Sequence, residues 1–486
     1  MKFFKVIIYV TISGLCSTSM AETLTPEQVL QKVIDHYPSI NIAAIEIERA
    51  RQSIKVANSQ LGWQLDAQAG IERGVSLFGT ASDSLSLGAG VSRMLDSGSS
   101  IAFDGAVRRE DSETVFSPTF PNPATTSNIG LSYRQPLAKN TAHSSFQASR
   151  ISAKLDLETS MAETDEMYDQ LALKVIDLYF SAAVLLAKTN NIDQSIKRAK
   201  RLQSYINNKT SLGVSEQKDI LQVNAQLDSL IAEKRNLEIS WMQQMVALNR
   251  LMERPWNSAI STTYKITSLN KDAESLFAQA KKYSPKIKLI NSRLALADSA
   301  IQTRRDEREN SMDLVWFAGA QSQKGDTSLG SSSESELTGG LRLEYKQSID
   351  KSGVDAQLYQ AQLERSTVLQ DRKLLLENLH YDLSSLLAEI EANRLALNAY
   401  EKSHRSEKIK IDEAMKRYRS GRIDTDVLIT FEDQLTQAKF SLELQRISLM
   451  QRQYKLQIML GELWQKIKKP VIHDFMTDSP AGVDVR

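Results

Sequence analysis

The side chains that could carry chemistry are few and lie far apart in this 486-residue sequence. No serine-nucleophile motif or glycine-rich phosphate loop is present, and Gly88-Ala89-Gly90 lies in a strand-like segment that no helix follows. The five histidines show no paired spacing suited to a metal ion: His36, His143, His380, His404 and His473. The sequence therefore predicts no enzymatic activity, no cofactor and no metal site.

Charged and aromatic side chains lie instead beside two glycines, Gly213 and Gly421. Asp219 follows the first glycine, Asp426 follows the second, and Tyr418 shortly precedes the second. An aspartate in the first turn of a helix is stabilised by the helix dipole. A tyrosine at an apolar position of a helix packs against a partner helix. By themselves, these residues indicate two similar helical reversals.

The two reversals belong to a duplication that runs through the sequence. A short helix, a proline and a second helix are predicted around Pro38 and again around Pro285. Strand-like segments, a very long helix, a glycine reversal and another long helix follow in both copies, which indicates an internal repeat. The first copy holds about 40 extra residues, roughly one β-hairpin with its loops. The predicted organisation is residues 22–254 for repeat 1, 255–270 for a linker, 271–466 for repeat 2 and 467–486 for a tail.

Each repeat is predicted to contain a long proline-free helix and a shorter helix that packs back along it. The predicted pairs are 143–212 with 214–252, and 352–420 with 424–464. A helix of roughly 65 to 70 residues is ~100 Å long, so no single globular core could bury it. Apolar residues three and four positions apart, such as Leu428, Phe431 and Leu435, predict coiled-coil packing.

Six segments alternate apolar and polar side chains, with glycine and serine frequent on the polar side. This alternation is typical of a transmembrane β-barrel, although a soluble sheet with one solvated face gives the same pattern. Long polar loops are predicted at 75–83, 110–127 and 324–335, and a tight turn at 94–99. Short turns on one side and long loops on the other favour an outer-membrane barrel. The six predicted strands are 61–74, 84–95, 100–108, 128–137, 314–320 and 336–346.

The N-terminus predicts export. Met1–Ala21 has a basic start, an apolar core and a small-residue cleavage site, as a signal peptide does. A lipoprotein signal at Cys16 is the alternative. Cleavage removes the only cysteine and two of the 60 basic side chains, which leaves these nearly equal in number to the 59 acidic ones. No basic excess remains for nucleic acid. The best remaining membrane-helix candidate, 171–187, is interrupted by Lys174 and Asp177.

Taken together, these features resemble the TolC family of outer-membrane efflux and secretion channels. The resemblance covers residues 25–464 and rests on the duplication, on the strand-to-helix passages at 131–136 and 341–347, and on the two glycine–aspartate–aliphatic hairpins. It implies a homotrimer in which the strands form one shared barrel and the helices form a periplasmic tunnel. It also implies passive transport, with a periplasmic adaptor protein and an inner-membrane pump as partners. The family's simplest members have four strands per chain, so the extra hairpin around 84–109 predicts either ~18 strands per trimer or a segment folded over the mouth.

The resemblance also assigns roles at the hairpin tips. Tyr418, Arg422 and Asp219 match positions that close the tunnel, and Asp426 matches an aspartate of a cation-attracting ring. Gly213 and Gly421 mark the tips that dock the adaptor. Ile429 stands where a second ring aspartate would be, so the ring is expected to hold three carboxylates instead of six. Arg422 follows its glycine one step early, which puts its contact with Asp219 in question, and simple helix packing remains the alternative for these residues.

The sequence thus predicts an α+β membrane protein with two structural repeats. It would form an outer-membrane barrel shared by a trimer and a coiled-coil tunnel in the periplasm. Its predicted function is the exit duct of a tripartite efflux pump or a type I secretion system. The alternative is an exported trimeric coiled-coil protein with a structural or adhesive role. Drug, metal, peptide and protein cargoes are all open.

Overall fold

The computed structural model describes residues 22–75, 81–114, 117–141, 145–211, 216–258, 260–263 and 273–467. Three predictions lie outside these residues: the signal peptide, the turn glycine Gly213 and nearly all of the tail.

Repeat 1 begins with a three-residue strand and two helices, continues with four strands, and ends with two long helices. Its elements are β1 (Glu22–Leu24), α1 (Pro26–His36), α2 (Pro38–Ser59), β2 (Gln64–Val75), β3 (Ala81–Met94), β4 (Ser100–Ser112), β5 (Ala124–Pro136), α3 (Ser145–Ser211) and α4 (Gln217–Leu251).

Repeat 2 has the same order of elements with two long strands in place of four. Its elements are β6 (Ile260–Thr262), α5 (Ala273–Tyr283), α6 (Pro285–Arg308), β7 (Ser311–Thr327), β8 (Gly330–Lys346), α7 (Ser352–Arg419) and α8 (Thr425–Met459). A short 3-10 helix, Leu463–Gln465, follows α8.

The chain divides into two compact units, and each unit combines parts of both repeats. The first comprises 1–42, 165–284 and 377–486, and the second comprises 43–164 and 285–376. The division into repeats 22–254 and 271–466 therefore describes the duplication of the sequence, and those boundaries stay a prediction.

The core of the first unit forms around α3. Ala172, Val175, Ile176 and Tyr179 have no exposed surface there. Among the described residues, α3 contains an 18-residue stretch that is apolar enough in composition to cross a membrane. Several apolar residues of this helix pack in the core, and 44% of the stretch is buried.

A small two-stranded sheet in the same unit was not predicted. β1 and β6 pair in parallel, with Leu24 opposite Thr262. The Tyr179 hydroxyl lies 2.7 Å from the Leu24 carbonyl oxygen and accepts the Thr263 backbone N–H at 2.8 Å. A single buried side chain therefore joins both strands, one of which lies in the predicted linker.

The second unit contains one antiparallel sheet of six strands in the order β2-β3-β4-β5-β7-β8. The extra hairpin, β3–β4, is fully hydrogen-bonded between β2 and β5. It is thus part of the sheet and does not fold over it. The sheet ends at two edges, β2 and β8.

All six predicted strands differ from the observed strands at one or both ends, and two of these differences have a clear cause. Leu61 lies in the turn after α2, where its N–H bonds to the Asn58 carbonyl and its own carbonyl accepts from Arg93, so β2 begins three residues late. The predicted long loop 324–335 is mostly strand. β7 and β8 continue to the pair Thr327–Gly330, and Thr327 Oγ1 donates to the Gly330 carbonyl at 2.6 Å.

The predicted helix 424–464 ends early, at Met459. Gly461 has a φ of 71°, and the Glu462 N–H bonds back to the Gln457 carbonyl at 2.9 Å. This pattern is a helix-ending glycine motif. The other long helices agree with the prediction within the described residues; α7, for example, spans Ser352–Arg419 against a predicted 352–420.

Candidate functional site

One face of the six-stranded sheet is apolar and exposed. Leu65, Val91, Phe103 and Leu131 are consecutive partners across β2 to β5, and on the edge strand β8 Leu337 is 86% exposed. Aromatic side chains gather near one end of the strands, where Tyr133 lies opposite Trp316. An exposed apolar sheet face of this extent, with aromatic residues near its border, is typical of a barrel wall against lipid.

The opposite face of the sheet carries polar and charged side chains. Arg134 donates to the Asp313 carboxylate at 2.9 Å and to the Glu344 carboxylate at 2.8 Å, so one guanidinium joins β5, β7 and β8. Phe317, which disturbs the polar alternation, lies over Gly340, and the Arg342 guanidinium is 5.4 Å from its ring centroid. Both faces thus keep the character that the alternation predicts.

The tips of the two helical hairpins form the second part of the site. α4 begins after Glu216, with Asp219 in its first turn, and α8 begins after Asp424, with Asp426 in its first turn. A hydrogen bond from Lys218 to Glu216 raises the pKa of the lysine, and the charges of Asp219 and Asp424 add to this rise. The acidic starts of α4 and α8 therefore lie near each other, and sequence analysis had not singled out Glu216 or Asp424.

Tyr418 is buried at the end of α7, with only 7% of its surface exposed. Its hydroxyl forms a 3.0 Å hydrogen bond with the Thr425 hydroxyl, which closes the turn around Gly421. Burial raises the pKa of Tyr418, and the negative charge of Asp219 contributes to that rise. The structure thus places the predicted pair Tyr418 and Asp219 in one neighbourhood, while the hydroxyl bonds within its own hairpin.

Gly421 has a φ of 69° and open space where a side chain would lie. Arg422 and Asp426 are both exposed. The Arg422 backbone N–H bonds to the Arg417 carbonyl at 2.9 Å, which completes the reversal. The two side chains can meet a ligand or another chain, and their predicted gating roles stay a prediction.

Lys209 is a site residue that sequence analysis missed. Its ammonium lies 5.1 Å from the ring centroid of Tyr205 and 5.7 Å from that of Tyr418, and the two rings are 5.9 Å apart. A cation over an aromatic face is attracted by the ring quadrupole. Lys209 thereby links the end of α3 to the end of α7. The contact between Tyr205 and Lys209 could have been predicted, because residues four positions apart on a helix are neighbours. The contact of Lys209 with Tyr418 could not, because Tyr418 lies on another helix.

Within the described part of the chain, no group of three or more histidine, cysteine, aspartate or glutamate side chains could hold a metal ion. The candidate site therefore has two separate parts, which are a sheet with an exposed apolar face in the second unit and a charged, aromatic hairpin end in the first.

Comparison with known proteins agrees with this arrangement. The family model described as outer membrane efflux protein matches residues 29–253. The resemblance to the TolC family is confirmed. Efflux moves a cargo without converting it chemically, so the predictions of an outer-membrane location, a transport role and no enzymatic activity are confirmed as well.

The TolC-type fold extends through the second repeat. The chain is similar to the outer-membrane channel OprN, with 14% identity over 90% of each chain and a TM-score of 0.66. It is also similar to the outer membrane protein VceC of Vibrio cholerae, with 14% identity over 90% of this chain and 96% of that one and a TM-score of 0.64. The CmeC outer membrane channel of Campylobacter jejuni follows with 13% identity, coverage of 93% and 88%, and a TM-score of 0.59. No curated protein sequence matches significantly. The predicted fold class, long helices with an antiparallel sheet, is confirmed.

Proposed function

We propose that three copies of this chain form an outer-membrane duct. It would be the passive exit of a tripartite efflux pump or a type I secretion system, docked to a periplasmic adaptor and an inner-membrane transporter. The family match favours this function over a structural or adhesive envelope protein.

The observation that carries the proposal is the open sheet. β2 and β8 each have one unpaired edge, and the sheet has an exposed apolar face. Backbone groups in the hydrocarbon of a bilayer must be hydrogen-bonded, and a closed barrel satisfies them all. Cyclic association pairs β8 of one copy with β2 of the next and removes every edge at once. With six strands from each copy, a trimer would close a barrel of roughly 18 strands, within the range of known outer-membrane barrels.

The hairpin end supports a role as the constriction of the duct. Three copies would bring together Asp219, Asp426 and Arg422 around one axis, and Tyr418 would hold the end of α7 against the turn. Exposed carboxylates in a ring attract cations. Gly213 and Gly421 would mark the tips that face the adaptor.

Disulfide trapping across the predicted strand junction tests the assembly. The mature chain would lack cysteine, because Cys16 lies in the predicted signal peptide. Gln68→Cys on β2 is combined in turn with Glu336→Cys, Thr338→Cys or Arg342→Cys on β8, since the register between copies is open. All four positions lie on the polar face. A disulfide requires Cα atoms within about 7 Å, so a correct pair should give covalent trimers on denaturing gels.

The matched control places the first cysteine at Ala106 on β4, a strand paired on both sides within its own chain. This control should give no covalent trimer with any β8 partner. Failure of all three test pairs, together with a freely soluble monomer, would contradict the proposal and favour the structural alternative.

A further inference from the structure

A basic groove in the first unit is unused by the proposed duct. It is lined by residues of α3, α7 and α8 and has a volume of about 470 Å³. This volume is within the range of small-molecule sites. We name it the basic groove and define it by Arg201 on α3, His404, Lys408 and Arg419 on α7, and Lys439 on α8.

Its positive charge is only partly compensated. Of the acidic residues that line it, Glu432 is already paired with Arg198, which leaves Asp412. In the part of the chain that the structure describes, the side chains of Arg201, Lys408 and Arg419 form no hydrogen bond or ion pair.

The pKa values of two further groups are lowered by burial and by this excess positive charge. Burial lowers the pKa of Lys439, and the nearby Arg198 lowers it further. Burial likewise lowers the pKa of His404, and the charges of Lys439 and Lys408 add to the effect. Like charges crowded in a partly desolvated groove create a local field that an anion would relieve.

The floor of the groove is apolar. Leu202 and Ile411 are each 5% exposed and Leu435 is 8% exposed, and half-buried Tyr205 and Met415 also line it. Inorganic anions gain nothing from such a surface, whereas an anion with an aromatic or aliphatic body buries apolar area there. Arginine side chains suit carboxylate and sulfonate geometry through paired N–H donors.

We propose that the basic groove is a binding site for amphipathic organic anions, such as aryl carboxylates. The charged head contacts Arg201 and Lys408, and the apolar body lies on Leu202, Ile411 and Leu435.

Fluorine NMR of a matched pair of probes tests this site on the full protein in lipid nanodiscs. The probes are 4-(trifluoromethyl)benzoate and its uncharged analogue 4-(trifluoromethyl)benzamide. The benzoate signal should broaden on addition of protein, and the benzamide should bind at least about tenfold more weakly, because hydrogen bonds to charged groups are the strong ones. The double variant Arg201→Ala, Lys408→Ala should weaken benzoate binding by a similar factor.

The control variant removes the same charge outside the groove, with Lys197→Ala on α3 and Lys402→Ala on α7. Both lysines are exposed. Control and wild-type protein should bind benzoate equally, and all samples are first checked for the same oligomeric size, so that a failure of assembly is separated from a failure of binding.

The pH dependence adds a second readout. A bound anion favours protonated His404, and the pKa of this histidine is lowered in the free groove. Benzoate affinity should therefore rise as the pH falls from 8 to below the ordinary histidine pKa of about 6.5. The charged groups that act on His404 are Lys408 of α7 and Lys439, Glu443 and Arg446 of α8. Across the groove they are joined by Arg198 and Arg201 of α3, Asp412 and Arg419 of α7, and Glu432 of α8.

In His404→Gln the rise of benzoate affinity at low pH should disappear while binding at pH 8 persists. Equal binding of the two probes, or no binding by correctly assembled protein, would overturn the proposal.

Discussion

The two repeats have nearly identical helices and different numbers of strands. The helices of repeat 1 contain 11, 22, 67 and 35 residues, and those of repeat 2 contain 11, 24, 68 and 35. The large sheet takes four strands from repeat 1 and two from repeat 2. Helices that pack along one another must keep matching lengths, whereas an antiparallel sheet accepts another hairpin without changing the direction of its neighbours. The sheet is therefore the part of this architecture that is free to vary.

Removing the difference between the repeats should have the largest effect. Deletion of 76–112 removes β3 and β4 and brings β2 beside β5. Leu65 and Leu131 would then be neighbours on the same apolar face, because both belong to one row of the sheet. We expect a stable trimer with a barrel about one third narrower, since diameter grows roughly linearly with strand number. Electron microscopy of the purified variant measures this diameter. An unchanged diameter would show that the hairpin does not contribute to the wall.

The last helices of the two repeats, α4 and α8, end in the same motif, but the left-handed residue is Glu253 after α4 and Gly461 after α8. Gly461 has a φ of 71°, and a Cβ there would lie 2.3 Å from the Tyr283 ring. Gly461→Ala should therefore destabilise the fold by roughly 2 to 4 kcal/mol, through left-handed strain and overpacking. Gly421→Ala is the matched control, because Gly421 has a φ of 69° and open space around it. Thermal unfolding should show a clearly larger loss for Gly461; equal losses would contradict the packing role of Tyr283.

The hairpin tips differ in the burial of their aspartates, since Asp219 is half-buried and Asp426 is exposed. If Tyr418 and Asp219 hold the duct closed, Tyr418→Phe with Asp219→Ala should raise single-channel conductance several-fold. Planar-bilayer recording measures this. Tyr400→Phe with Asp228→Ala, exposed positions on the same two helices, is the control. Unchanged conductance in the test variant would assign both residues to helix packing.

Glu253 stands in repeat 1 where Gly461 stands in repeat 2. It has a φ of 52°, and the next residue, Arg254, bonds back to the Asn249 carbonyl at 2.9 Å, as Glu462 does to Gln457. Glu253 is exposed. Glu253→Gly should therefore stabilise the protein by about 1 kcal/mol, by removing left-handed strain. A lower unfolding temperature would show that the two helix ends are not equivalent.

The contact between the repeats at Lys209 should give the smallest effect. A partly exposed cation–π contact contributes about 0.5 to 1 kcal/mol. Lys209→Met should raise the open probability of the channel by about two- to fivefold, and Lys209→Arg should preserve the wild-type value. Lys200→Met, on the exposed side of the same helix, serves as the control. An identical open probability in Lys209→Met and wild type would exclude a role for this contact in closing.

Features of the fold that neighbouring residues encode were predictable from the sequence, whereas features that depend on distant residues were not. The helix ending before Gly421 and the apolar row through Leu65 and Phe103 follow from periodicity, which neighbouring residues encode. The strand pair β1–β6 depends on Tyr179. This residue is 155 positions from Leu24 and 84 positions from Thr263 in the sequence. The early end of α8 was readable from Gly461, which ends the helix in a left-handed conformation, whereas its close packing against Tyr283 of another helix was not. The extension of β7 and β8 through a polar segment depends on their mutual hydrogen bonds, which composition does not reveal.

Among these tests, electron microscopy of the wild-type protein in lipid nanodiscs addresses the central claim most directly. We expect a three-fold ring in which β8 of each copy pairs with β2 of the next, with six strands per copy in one closed wall. A particle that stays monomeric in lipid, or a ring from which β3 and β4 are excluded, would contradict it.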